Sequence, residues 1–233
     1  MSYDNYSSAD SNRFLSKVYM WMFIGLMLTA ISSYGVMSTD FSVIFFYNIG
    51  IVFGLLIFEL IIVIILSWAI KSLPPSIATL IFIFYSVLSG ITLTPIIWNT
   101  YTEVSVFVAF FVAAGMFIGM SLVGYFTKKD LSGVGRFLIM ALIGLILASL
   151  INLLLSFLFP GLVAPLTFLL SIAGVLIFAG LTAYDTQKIK NIAASVDHGD
   201  PFTQNLAIVS ALNLYLDFIN MFLYMLRLFG QRR

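Results

Sequence analysis

The sequence contains no cysteine, one histidine and few charged residues. Of its 233 residues, 9% are Asp, Glu, Lys or Arg, and the net charge is +1. Without cysteine the chain can form no disulfide, no thiolate metal site and no cysteine nucleophile. The eleven Lys and Arg residues are scattered singly or in pairs, so the charge pattern does not favour nucleic-acid binding.

Hydrophobic residues dominate the composition instead, at 61% of the chain with a mean hydropathy of +1.09. No water-soluble core needs that much apolar surface, so the expected solvent is a lipid bilayer. Seven apolar runs are each about 20 residues long, enough to cross roughly 30 Å of hydrocarbon. We predict an all-α membrane protein with seven transmembrane helices within Lys17–Ser38, Phe45–Ile70, Pro75–Ile97, Val104–Phe126, Val134–Phe159, Val163–Tyr184 and Leu206–Phe229.

Short polar segments separate these runs. The predicted breaks are Pro74-Pro75, Asn99, the TKKDLSGVG segment and Pro160-Gly161. Because the loops are short, residues 17–233 are expected to form a single seven-helix membrane domain. Residues 1–16 are polar and are predicted to be a flexible cytoplasmic tail.

The distribution of Lys and Arg orients the predicted helices. Basic residues occupy the loops on the amino-terminal side, whereas the loops near Asp40, Glu103 and 159–165 contain none. The amino terminus is therefore predicted to be cytoplasmic. The compact chain favours a bacterial inner membrane, with an organellar membrane as the alternative. Seven crossings would place Arg227, Arg232 and Arg233 on the opposite side, unless the last segment dips and returns. We expect seven crossings.

Three acids lie within or beside the predicted spans: Glu59, Asp185 and Asp217. A charged Asp near the centre of a membrane helix costs roughly 2.5–3.5 kcal/mol, so each acid needs protein, water or a proton beside it. For Asp185, followed by Thr186 and a predicted charged loop, a helix end that reaches water is equally compatible with the sequence.

The acids of the last two helices lie on polar faces. Asn213, Asp217 and Asn220 are spaced i, i+4, i+7, and Tyr224 continues the same face. The sixth helix has a matching face of mostly small or polar residues, which favours close helix contact: Ser171, Gly174, Phe178, Thr182 and Asp185. The spacing permits contact between the two acids, and leaves open whether they lie at the same depth.

Several longer strings resemble a known family. FAGLTAYDTQKIK (178–190) and ALNLYLDFINMFLYMLRLFG (211–230) are similar to the carboxy-terminal signature of the transmembrane Bax inhibitor motif family. The segment SLVGYFTKKDLSGVGRFLIMALIGLILASLINLLL resembles its fourth and fifth helices, and FYSVLSGITLTPI its third. The resemblance covers about residues 59–230, and the amino-terminal helix matches only in character.

The resemblance implies a fold in which six helices wrap around a central carboxy-terminal helix. It also implies a pH-sensitive calcium leak governed by a hydrogen-bonded aspartate pair, which falls on Asp185 and Asp217. Many members carry an Arg near the end of the second helix, where LSWAIK has Ala69 with Lys71 nearby. An arginine contact to the pair is therefore in doubt. Glu59 fits an acidic position found in many relatives.

In this interpretation Asp185 and Asp217 share one proton, because two neighbouring carboxylates cannot both ionise cheaply. Ca²⁺ is the transported ion and the proton is the regulator, with no resident cofactor. Carboxylate oxygens are hard ligands suited to weak Ca²⁺ binding, and a leak favours an incomplete site. Further residues predicted along the ion path are Glu59, Asn213, Asn220, Thr182 and Tyr224.

Three alternatives remain. Intramembrane aspartyl proteases also place a YD motif and a second Asp on consecutive helices, but their GxGD and Pro-Ala-Leu elements are absent here, so we do not expect an enzyme. An interaction protein that modulates a membrane-bound protease or another membrane complex would use the tail 1–16 and the basic loops. His198, between Asp197 and Asp200, invites a metal site, although a solvated loop is the commoner explanation.

Overall fold

The computed structural model describes residues 2–39, 49–69, 72–98, 100–196 and 200–231. Within these ranges the chain forms helices and no strand. The seven helices are α1 (Ser2–Met37), α2 (Ile49–Trp68), α3 (Pro75–Trp98), α4 (Glu103–Phe126), α5 (Ser132–Leu158), α6 (Pro160–Ser195) and α7 (Pro201–Phe229). Each contains a stretch that is long and apolar enough to cross a membrane. The predicted all-α class with seven spans is confirmed.

Proline and capping residues explain where several helices begin. Pro75, Pro160 and Pro201 are each the first residue of a helix. That position suits proline because its missing N–H has no partner within the helix in any case. At α4, the Thr102 hydroxyl oxygen accepts a hydrogen bond from the Ser105 N–H at 3.4 Å. The predicted breaks at Pro74-Pro75 and Pro160-Gly161 are thus helix boundaries, while Asn99 lies outside the described residues.

The predicted flexible tail over residues 1–16 is wrong, because α1 begins at Ser2 and runs without interruption to Met37. Phe14 is 3% exposed, and Leu15 and Val18 are also buried. The Ser11 hydroxyl donates a hydrogen bond to the Ala193 carbonyl at 3.0 Å. Phe14 and Leu15, near the end of the polar amino-terminal sequence, are therefore buried against protein.

The predicted end of the sixth helix at Tyr184 is also wrong. Helix α6 continues to Ser195, so the charged segment after Asp185 is helical rather than a loop. Thr186, Ile189 and Ala193 are all buried and lie on one face at spacings of 3 and 4. Burial of this face outweighs the polar composition that made the segment look like a loop.

Contacts divide the chain into two compact units, each described by itself. The first unit contains α1, α2, α3, the end of α6 from Ile189, and α7 as far as Tyr215. Within it, α3 packs against both α1 and α2. The Tyr215 ring is fully buried, and it meets the rings of Phe82 and Tyr85 edge-on at centroid distances of 6.2 and 5.8 Å.

The second unit contains α4, α5, α6 as far as Lys188, and α7 from Leu216. The Phe218 ring packs edge-on against Phe110 and Phe117 of α4, at 5.5 and 5.7 Å. Gly124 of α4 lies directly against the Ala183 carbonyl of α6. A side chain at that position would therefore separate α4 from α6.

The last helix is a single span rather than a segment that dips and returns. Helix α7 is uninterrupted over 29 residues. Beyond its end, the Gln231 N–H donates to the Ser105 hydroxyl at 2.8 Å and the Gln231 carbonyl accepts from the Thr102 N–H at 3.1 Å. The carboxyl end therefore lies beside the start of α4. With a cytoplasmic amino terminus, Arg227 would be on the far side, while Arg232 and Arg233 lie outside the described residues.

Helix α7 is also the most enclosed of the seven spans. Its most apolar stretch is 61% buried within the protein, compared with 6% for α5. On its polar face Asp217 is buried, whereas Asn213, Asn220 and Tyr224 are partly exposed.

Candidate functional site

An aromatic stack fixes the register of α6 against α7 in the second unit. The rings of Phe178 and Tyr224 stack at a centroid distance of 6.0 Å and an interplanar angle of 25°. Gly174 makes room for this stack, since a Cβ there would lie 2.6 Å from the Tyr224 ring. Asp185 follows Phe178 by two helical turns, and Asp217 precedes Tyr224 by the same interval. In antiparallel helices both acids therefore lie about 10 Å from the stack, at the same depth.

Asp217 is the more buried of the two acids. Its side chain is 4% exposed, and its Oδ2 atom has no hydrogen-bond partner. The charged group that acts on it is Asp185, so the two carboxyls lie within electrostatic reach of each other. A buried carboxylate with a like-charged neighbour cannot hold its charge without a proton or a cation.

Asp185 has a different environment. It is half-buried, and the ammonium group of Lys188, one turn further along α6, acts on it electrostatically. Lys188 is exposed at the end of the span. The positive charge of Lys188 therefore stabilises an ionised Asp185 directly. Lys188 affects Asp217 only indirectly, through Asp185.

The other residues predicted along the ion path are divided between the two units. Thr182, Asn220 and Tyr224 belong to the second unit with the two aspartates, whereas Glu59 and Asn213 belong to the first. The Thr182 hydroxyl donates to the Phe178 carbonyl at 2.8 Å, and the Asn220 amide donates to the Leu216 carbonyl at 2.8 Å. Their roles in an ion path stay predictions.

An arginine also contacts the Tyr224 ring. The Arg227 guanidinium lies 5.1 Å from the centroid of the Tyr224 ring, a distance typical of a cation–π contact. Phe178 and Arg227 thus both contact the Tyr224 ring. This cation belongs to the same helix as Asp217, three turns away.

Sequence reasoning missed Gln187, which joins α6 to the loop between α4 and α5. Its amide oxygen accepts a hydrogen bond from the Leu131 N–H, and its amide nitrogen donates to the Lys129 carbonyl, both at 2.8 Å. We call this arrangement the glutamine clamp. Hydrogen bonds from the hydroxyl and N–H of Ser132 also hold the pKa of Asp130 in this loop below its usual value. The clamp holds the loop two residues beyond Asp185.

Replacing Gln187 with alanine is expected to lower the free energy of unfolding by about 1–3 kcal/mol, because two backbone groups lose their partner. Thermal unfolding of the detergent-solubilised protein measures the change. Gln187→Glu keeps the oxygen that accepts from Leu131 but places a second oxygen against the Lys129 carbonyl, so it should destabilise at least as much as alanine. Equal melting temperatures for the two variants and the parent would contradict the clamp.

His198, considered as a metal ligand, and Lys71, near the position of the family arginine, lie outside the described residues. Across the described ranges, no three His, Asp or Glu residues come together as metal ligands. Calcium bound by Asp185 and Asp217 would therefore take its other ligands from amide oxygens, backbone carbonyls or water.

Comparison with known proteins identifies the family. The sequence profile described as "Inhibitor of apoptosis-promoting Bax1" matches residues 11–233. The chain belongs to the Bax inhibitor family. The inner membrane protein YbhL of Escherichia coli K12 is 46% identical over 224 residues, which cover 94% of this chain and 92% of YbhL.

Other relatives match over similar lengths. A Borreliella burgdorferi protein is 41% identical over 223 residues, covering 95% of this chain and 93% of its own length. A Streptococcus pyogenes membrane protein is 39% identical over 230 residues, covering 97% of this chain and 95% of its own length. Together with the seven apolar helices, these matches identify an integral inner-membrane protein of the Bax inhibitor family.

Proposed function

We propose that this protein is a pH-sensitive cation leak, with calcium as the ion, gated by Asp185 and Asp217. We call these two residues the aspartate pair. The observation that supports the proposal most directly is the buried Asp217 carboxyl, whose Oδ2 lacks a hydrogen-bond partner while Asp185 acts on it. The register set by the Phe178–Tyr224 stack supports it further, because it brings the two acids to one depth.

A shared proton gives the pair two states. With one proton between them, the acids carry a single negative charge, and Lys188 offsets part of it at Asp185. When the proton leaves, two like charges face each other where protein rather than water surrounds them, and their repulsion is strong. The contact between α6 and α7 is then the element that rearranges, biased by one proton.

The same pair offers oxygen ligands to a hard cation once it is ionised. Calcium prefers six to eight oxygens, and the pair supplies at most four, so water and amide oxygens such as that of Asn220 would complete the shell. Such a site binds weakly. Weak binding suits conduction, because an ion that binds too tightly leaves too slowly.

Flux measurements in liposomes loaded with a calcium-sensitive dye test this function. Asp185→Asn and Asp217→Asn should each abolish the change in flux between about pH 6 and about pH 8, because neither leaves a proton to be shared. Glu103→Gln is the matched control, since it removes an exposed acid at the start of α4. Unchanged flux and unchanged pH response in both aspartate variants would overturn the proposal.

Contact with a membrane-bound protease or another membrane complex stays a prediction, as does the absence of enzymatic activity. The structure changes the design of the experiment that tests the partner. Because Phe14 and Leu15 are buried, deleting residues 1–16 would disturb α1 itself. A deletion that stops at Asp10, followed by co-purification, separates loss of a partner from loss of the fold.

A further inference from the structure

A groove opens on the exposed face of α5, close to the start of that helix. Its volume is about 540 Å³, which is within the range of roughly 300–1,000 Å³ found for small-molecule pockets. We call it the α5 groove; its lining residues are Gly133, Arg136, Phe137, Ile139 and Met140. Most of them follow one another at intervals of three or four residues, so they share one face of the helix. The proposed leak mechanism uses none of them.

The α5 groove faces away from the rest of the second unit. The opposite face of α5 packs against α6, where Gly135 lies against the Tyr184 ring and Leu138 lies against Gly180. The side chains that line the groove are all exposed. Helix α5 as a whole is only 6% buried over its most apolar stretch. Because α5 is a membrane span, the natural occupant of this groove in a bilayer is a lipid.

The chemistry of the α5 groove changes along the helix axis. Helix α5 begins at Ser132, and Arg136 follows four residues later, about 6 Å along the axis. Met140 is a further four residues along, about 6 Å deeper into the span. The groove therefore has a cation near the membrane surface and apolar side chains below it. A ligand with an anionic head and an apolar tail matches this order.

Positive charge dominates the surroundings of the groove. Lys128, Lys129 and Arg136 are all exposed, and Asp130 is the one acid in the sequence between them. The Asp130 carboxylate accepts a hydrogen bond from the Ser132 N–H at 2.9 Å, and Arg136 acts on it electrostatically. One carboxylate cannot neutralise three cations. An excess of positive charge therefore remains at this end of α5, which favours an anionic ligand.

The loop that carries the two lysines is held in place by α6. The glutamine clamp binds the Lys129 carbonyl and the Leu131 N–H. These are main-chain groups, so the exposed ammonium of Lys129 takes no part in the clamp. A loop that is fixed in advance loses little conformational freedom when a ligand binds, and this raises the affinity.

We propose that the α5 groove binds an anionic phospholipid, with the phosphate on Arg136 and an acyl chain against Phe137 and Met140. A guanidinium group suits a phosphate because it donates two parallel hydrogen bonds. Basic pockets on the cytoplasmic side of membrane proteins bind such headgroups. With a cytoplasmic amino terminus, the loop between α4 and α5 lies on that side. Lipid binding here does not depend on the leak function.

Native mass spectrometry of the full-length protein in detergent, titrated with phosphatidylglycerol, tests the proposal. Arg136→Gln is expected to lower the affinity roughly fivefold, the effect of one cation at an anionic headgroup. Gly133→Leu should also weaken binding, because it fills the groove without changing the charge. A Cβ at Gly133 meets nothing within 4 Å, so this variant should fold. Arg13→Gln is the matched control, since it removes an exposed arginine from the other unit.

The outcomes distinguish a lipid site from a general charge effect. The parent should bind phosphatidylglycerol more tightly than phosphatidylcholine with the same acyl chains. Parental affinity in Arg136→Gln or in Gly133→Leu would overturn the proposal, as would an equal loss in Arg13→Gln. Displacement of the lipid by inorganic phosphate at equal concentration would overturn the assignment to a phospholipid. Melting temperatures check that each variant is folded, and the charge and shape variants test the groove independently of each other.

Discussion

Replacing Gly124 with leucine is expected to prevent the protein from folding stably, whereas the same change at Gly119 should be tolerated. Both glycines lie in α4. A Cβ at Gly124 would overlap the Ala183 carbonyl of α6, which is backbone and cannot rotate away. A Cβ at Gly119 meets nothing within 4 Å. The two variants thus differ in the neighbour they meet and not in helix propensity.

The expected loss at Gly124 is about 3 kcal/mol or more, the upper range for forcing extra atoms into a packed contact. At Gly119, removal of glycine from a helix interior should instead stabilise by up to about 1 kcal/mol. Size-exclusion chromatography and thermal unfolding in detergent measure both effects. A Gly124→Leu protein that is monodisperse and melts at the parental temperature would contradict the close contact between α4 and α6.

Combining Asp185→Asn with Asp217→Asn should change the pH response of calcium flux no more than either substitution alone. Two acids that share one proton form a single titrating unit, so removing either member removes the whole response. The interaction term of the double-mutant cycle should then be about as large as the effect of one substitution. The ratio of calcium flux at low and high pH is measured in liposomes for the parent, the two single variants and the double variant.

Additive effects would contradict a shared proton, because independently titrating acids contribute separately. The double-mutant cycle needs two controls. Each variant must reconstitute with the same orientation and amount, which protease accessibility of the amino terminus reports. The variant Glu103→Gln provides a reference for an exposed acid outside the pair and should leave the cycle unchanged.

The sequence was sufficient to predict Asp217 as a site residue but not Gln187. Asp217 could be singled out because it lies in an apolar helix, where a charge is costly whatever the surrounding fold. Gln187 carried no such signal, since a glutamine next to Lys188 looks like a solvated helix end. Only the packed α4–α5 loop shows that its amide holds two backbone groups.

A polar face of α3 shows the same limit of sequence reasoning. Tyr85, Ser89 and Thr92 recur on α3 at spacings of 4 and 3, so the sequence contains the pattern of one helical face. Serine, threonine and tyrosine are nevertheless compatible with both lipid and protein surroundings, and the spacing does not reveal which partner they meet. Glu59 and Tyr215, on two other helices, supply the partners that make the face a polar cluster.

The sequence by itself determined that this protein is a seven-helix membrane protein, because lipid requires long apolar helices that satisfy their own backbone hydrogen bonds. It also marked the acids that such a protein must shield. The tertiary structure decided the extent of α1 and α6, the common depth of Asp185 and Asp217, and the partners of Gln187. Those features depend on contacts between residues distant along the chain, which no local pattern of hydropathy or charge encodes.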